Sequence, residues 1–138
     1  MPQAMATEVQ KQCETIEECY EFTLSYAARG LAGDEGSGLR EHLVRAAAAM
    51  RGLETGCADA ARRMQLMPAE KYSAFFAVVA RDAGAALAAV ELVLAQPVIS
   101  AQLIDTLNAS IHLRALLADL FLLTEILEAQ PAAAAHAQ

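Results

Sequence analysis

The sequence predicts an all-α protein, specifically an antiparallel up-and-down four-helix bundle. Three observations predict it. The chain is 56% hydrophobic, above the ordinary range for a globular domain, and much of that is alanine, the best helix former. Alternating runs of β-branched and aromatic residues, the mark of strands, are missing. Apolar residues recur instead at three- and four-residue spacing, in four stretches separated by loops that carry glycine or proline. A chain of 138 residues suits one domain. Residues 1–13 are expected as a flexible N-terminus, 14–130 as the bundle and 131–138 as a flexible tail.

The first helix is expected from about Thr15 to Gly30, with Ile16, Cys19, Tyr20, Leu24 and Ala27 as its apolar face. Glu14, Glu17, Glu18 and Glu21 crowd its first turns, where acids complement the positive end of the helix dipole. Gly33 to Gly38 reads as a loop. The second helix follows to Gln65, with Ser37 as its N-cap. Ala46 to Ala49, Gly52 and Gly56 make one side of it small. Each interior glycine costs about 1 kcal/mol against alanine, so the pair implies a close neighbour or a kink. Pro68 suits the first turn of the third helix, whose face is Tyr72, Phe75, Phe76, Val79, Leu87, Val90, Val93 and Leu94; Pro97 breaks it.

The last helix, expected as one piece from Ile99 to Glu128 with Ser100 as its cap, is apolar on two faces. At about 100° per residue, Leu113, Leu116, Leu117, Leu120, Leu123 and Leu127 form one stripe. Ile104, Leu107, Ile111, Ala115, Ala118, Leu122 and Ile126 form another. One stripe meets the core. The other needs a second partner, most simply another copy of the chain. Ile104, Leu107, Ile111, Leu122 and Ile126 are therefore expected at an oligomer interface.

Net charge is −7, and it is unevenly spread. Lys11 and Arg29 are outnumbered by acids before residue 38. Arg40, Arg45, Arg51, Arg62 and Arg63 outnumber Glu41, Glu54 and Asp59 in the second helix. An acidic protein repels a phosphate backbone at long range, so those five arginines are the place for a nucleic-acid contact. Cys13, Cys19 and Cys57 form no CxxC pair, and with no secretory leader expected they are expected as free thiols in a reducing cytoplasm. Charges interrupt the apolar runs far short of the ~20 residues a membrane span requires.

No signature of catalysis emerges. His42, His112 and His136 lie on different elements, no Glu-x-x-His pair suggests a metal site, and no G-x-S-x-G elbow or phosphate loop is present. No cofactor is implied. His42-Leu43-Val44-Arg45-Ala46-Ala47 resembles the His-x-Leu-Lys-Gly segment of histidine phosphotransfer bundles. That likeness makes an exposed His42 an alternative phosphoacceptor, with Arg45 beside it on one face.

A longer segment resembles another family. Leu39, Leu43, Arg45, Ala46, Ala47 and Met50 fall on the pattern Leu-x-x-Gln-[Leu/Ile]-Arg-Arg-Ala-Ala-x-Ser-[Ile]. This is the second helix of proteins encoded by intervening sequences of bacterial 23S ribosomal RNA genes, a family that includes accessory variability determinants of diversity-generating retroelements. Glu70-Lys71-Tyr72 with Phe75-Phe76, and the order and length of four helices, extend the likeness over residues 14–128. Val44 stands where that family has the first Arg of a pair. The resemblance implies a four-helix bundle assembled as a pentameric ring, with no established catalytic residue; some members are thought to bind nucleic acid or dock on a reverse transcriptase. The expected function is thus a non-enzymatic, self-assembling scaffold or adaptor, binding itself and in addition nucleic acid or another protein, with no membrane.

Overall fold

A computed structural model describes residues 7–130, and its elements are all helical: α1 (Glu8–Ala28), α2 (Leu39–Met64), α3 (Ala69–Leu94), α4 (Ala101–Ala109) and α5 (Ile111–Glu128). Among the described residues there is no strand. The expected tail at 131–138, with Pro131 and His136, lies outside the described residues.

The first helix begins earlier than the glutamate cluster suggested. Thr7 and Gln10 form a capping box: the Gln10 N–H donates to Thr7 Oγ1 at 3.3 Å, and the Thr7 N–H donates to Gln10 Oε1 at 2.7 Å. With its first donors satisfied, helix extends from Glu8, and Val9, Gln12 and Cys13 are buried. Residues 8–13 are therefore part of the helical body, a correction to a flexible stretch ending at 13. Ser37 Oγ accepts the Leu39 N–H at 3.1 Å, while Gly38 supplies the left-handed turn into α2 at φ 81°. Ser100 caps α4 as expected, accepting the Leu103 N–H at 3.1 Å.

Packing follows the apolar faces. α1 lies on α2, α2 on α3, α3 on α5, and α4 on α1. The most deeply buried large side chains are Tyr26, Ile16, Leu39, Leu43, Leu53, Ile99, Ile104, Leu116, Leu120 and Leu123, with Val9 and Val79. The two glycines of α2 mark a close approach, as their spacing implied. A Cβ on Gly56 would fall against Gln12 Oε1 and 3.3 Å from the Val9 Cα, and one on Gly52 against Gln12 Nε2. Absence of side chains there lets the buried Gln12 carboxamide lie flat on α2.

The helix ends are tied together by one ion pair. Asp34, in the α1–α2 loop, accepts the Ile99 N–H at 2.9 Å and the Arg40 Nε–H at 2.8 Å. Arg40 also donates to the carbonyls of Leu94 (3.0 Å), Gln96 (2.7 Å) and Pro97 (3.2 Å). Nearby, the Tyr26 hydroxyl donates to the Ile99 carbonyl at 2.7 Å. These bonds anchor the α3–α4 connection and so set where α4 begins.

Candidate functional site

Ser110 decides which apolar side chains face outward. Its backbone is extended (φ −60°, ψ 134°). Its N–H donates to the Leu107 carbonyl at 3.0 Å, its Oγ accepts the His112 N–H at 3.2 Å, and its carbonyl accepts the Arg114 N–H at 3.0 Å. One residue thus ends α4 and caps α5. The expected continuous last helix is two helices, and the phase of the apolar pattern is reset between them.

The consequence for the interface residues is direct. Ile104 (0% exposed) and Leu107 (5%) point into the core beside α1, so their placement on an outer stripe is corrected. Ile111 (75%) and Leu122 (49%) are exposed, and Ile126 is half-buried. Leu113, Leu120 and Leu127 are buried. At about 100° per residue, Ile111, Ala118 and Leu122 lie diametrically opposite them. Phe121 (52% exposed) flanks this outer stripe, with Ala115 on its other side. Arg114 and Glu125 sit on the same arc, exposed and without an ion-pair partner among the described residues.

The outer side of α3 is small in texture. Gly84 is mid-helix and exposed, and a Cβ there would meet nothing within 4 Å. Ala77 and Ala88, on the same side, are exposed, as is Leu92. At the α3–α5 seam, Asp82 faces Asp119. Burial first, then the hydrogen bond and charge of Asp82, push the Asp119 carboxyl up to about 7, against the opposing charge of Arg81. The Asp119 Oδ2 is buried with no hydrogen-bond donor, which favours the protonated carboxyl.

The arginines of α2 do not form one basic strip. Arg40 is committed to Asp34 and three carbonyls. Arg51 pairs with Glu91 on α3, and Arg62 and Arg63 both pair with Asp59, at 2.7 and 3.0 Å. Arg45 is exposed and has no acidic partner among the described residues; with Lys11 it rims an open groove between α1 and α2. His42 is half-buried. Its ring stacks on Phe22, centroids 3.9 Å apart and planes at 14°, and its Nδ1 lies 3.1 Å from the Gly38 carbonyl. The imidazole is therefore held on one face and at one nitrogen rather than standing free.

The three cysteines are buried thiols. Burial pushes Cys13 and Cys19 up to about 11 and Cys57 up to about 12, so little nucleophilic thiolate is present near neutral pH. Among the described residues, no three His, Cys, Asp or Glu side chains converge as metal ligands, and no helix is long and apolar enough to cross a membrane. An apolar void of about 20 Å³ lies between Ile16, Leu43, Ala46, Met50 and Leu113, room for about one water. Comparison with protein-family models, curated proteins and solved structures finds no match to this chain.

Proposed function

We propose that the chain is a non-enzymatic scaffold or adaptor, a four-helix bundle that assembles with copies of itself through the outer face of α5. The carrying observation is the apolar stripe of Ile111, Ala118, Leu122 and Ile126 opposite the core side of that helix. Isolated exposed apolar residues are ordinary, but a row of them on one helix face marks an interaction surface. The resemblance of α2 to the ring-forming intervening-sequence proteins supports a copy of the same chain as the occupant.

Contacts within the chain support the bundle reading. Phe22 meets His42 while Gln12 meets Gly52 and Gly56, so α1 and α2 run in opposite senses. Asp82 meets Asp119 while the Gln130 Nε2–H donates to the Tyr72 hydroxyl at 3.4 Å, so α3 and α5 do too. α4 and α5 together take the place of the fourth helix.

The test is to replace Leu122 and Ile126 with glutamate and measure mass by light scattering and helicity by circular dichroism. The variant is expected to stay helical and to become a smaller species than the parent. An unchanged mass would reject this face as the self-association site.

A further inference from the structure

We infer that the outer face of α5 docks on the outer face of α3 of the next copy, antiparallel to it, so that copies join head to tail. This rests on the self-association reading above and names the receiving surface. Three observations carry it.

The first is Gly84. Glycine in a helix interior is unfavourable against alanine, and at Gly52 and Gly56 the packing of Gln12 explains it. At Gly84 nothing among the described residues does, because the space beside it is open. A helix that must receive a large side chain from outside has a use for that notch. The second observation is the complementary texture of the two faces. α5 presents Ile111, Leu122 and Phe121, whereas α3 presents Ala77, Gly84 and Ala88. Large side chains of one helix seat between small ones of the other, the arrangement that brings helix axes closest.

The third is charge spacing, and it fixes direction. Arg81 and Glu91 on α3 are ten positions apart; Arg114 and Glu125 on α5 are eleven. Laid antiparallel, Arg81 meets Glu125 of the next copy and Glu91 meets Arg114. In that register Leu122 falls on Gly84, Ala118 on Ala88, and Ile111 on Ala95. A parallel docking would oppose like charges. Glu91 already accepts Arg51, and an exposed carboxylate has acceptor sites for a second cation.

Direction has a further consequence. Within one copy α3 and α5 are antiparallel. If α5 is also antiparallel to the next copy's α3, both copies point the same way, as rotation about an axis along the helices requires. Two unlike contact faces on adjoining helices make a heterologous contact, which repeats from copy to copy and gives a ring where its rotation closes.

The experiment uses two full-length variants, Gly84→Gln, which fills the notch, and Leu122→Glu, which charges the stripe. Both positions are exposed, and Gly84→Gln raises helix propensity, so loss of assembly would not report loss of fold; circular dichroism checks this. Each variant alone is expected to run as a monomer. Mixed in equal amounts, they retain one intact junction and are expected to give a species of two chains and nothing larger by native mass spectrometry. In a second arm, Arg81→Glu and Glu125→Lys each weaken assembly by tenfold or more, and the double exchange restores it. Assembly of Gly84→Gln as large as the parent's, or a mixture that stays monomeric, would overturn the α3 docking while leaving self-association through α5 standing. A monomeric parent chain would instead overturn the self-association reading itself.

Discussion

Arg40 holds together the ends of three helices, and nothing about its position in the chain announces that role. Its five N–H donors match one carboxylate and three carbonyls, the planar fork that lysine lacks. Charge is legible in a sequence, which is why Arg40 reads there as a phosphate contact; carbonyl partners more than fifty residues away are not. Arg40→Met is expected to lower stability by about 2 kcal/mol, because three carbonyls and Asp34 lose a charged donor together; urea unfolding measures it. Burial alone would raise the Asp34 carboxyl, but the bonds from the Ile99 N–H and Arg40 outweigh burial and hold it below the usual range. The folded chain thus loses this proton more readily than the unfolded one. Its contribution is present above about pH 4 and is lost as pH falls through the folded value. Two glycines make a sharper contrast at this scale. In the Leu122→Glu background, where association adds nothing to stability, Gly84→Ala should stabilise by about 1 kcal/mol. Gly56→Ala should destabilise by roughly 1–3 kcal/mol, because its methyl meets Gln12 and the Val9 backbone. The same substitution with opposite signs separates a glycine needed inside the chain from one that is not.

At the scale of elements, periodicity carries most of the information. The buried stripe of α5 (Leu113, Leu116, Leu117, Leu120, Leu123 and Leu127) is the one the spacing marks out, and the closeness implied by Gly52 and Gly56 is real. The start of α1 was legible too: Thr7-x-x-Gln10 is a capping-box spelling, masked by the polar composition around it. Ser110 was not. Asn108-Ala109-Ser110 holds neither proline nor glycine, and serine interrupts a helix only when its tertiary setting draws the backbone away. Here α4 docks on α1, where Asn108 Oδ1 lies 3.0 Å from Thr23 Oγ1. A continuous helix could not hold Ile104 and Leu107 against α1 while α5 packs on α3. The seam between α3 and α5 makes its own prediction. Asp119 is pushed up to about 7 by burial and by Asp82, so above about pH 4 the folded chain keeps a proton that the unfolded chain has released. Stability is therefore expected to fall as pH rises from about 4 to about 7. Asp119→Asn should flatten that slope, as urea midpoints across the range would show; an unchanged slope would mean that Asp119 does not hold the proton.

At the scale of the molecule, an acidic chain buries its thiols, pairs four of the five arginines of α2 and still leaves a row of large apolar side chains exposed on α5. Each of the first two tendencies favours a chain that stands alone in water; the last does not. The sequence showed part of the exposed row, Ile111 and Leu122, because a helix needs only one stripe to meet its core; Ile104 and Leu107, assigned to the same row there, are buried. It did not show the receiving face, because small residues on an exposed α3 look like ordinary helix filler until the open space beside Gly84 is seen. Native mass spectrometry of the full-length chain at micromolar concentration tests the account most directly. A multiple of the 14.6 kDa chain, reduced to single chains by Leu122→Glu, is the predicted result. A single chain at every concentration would contradict it.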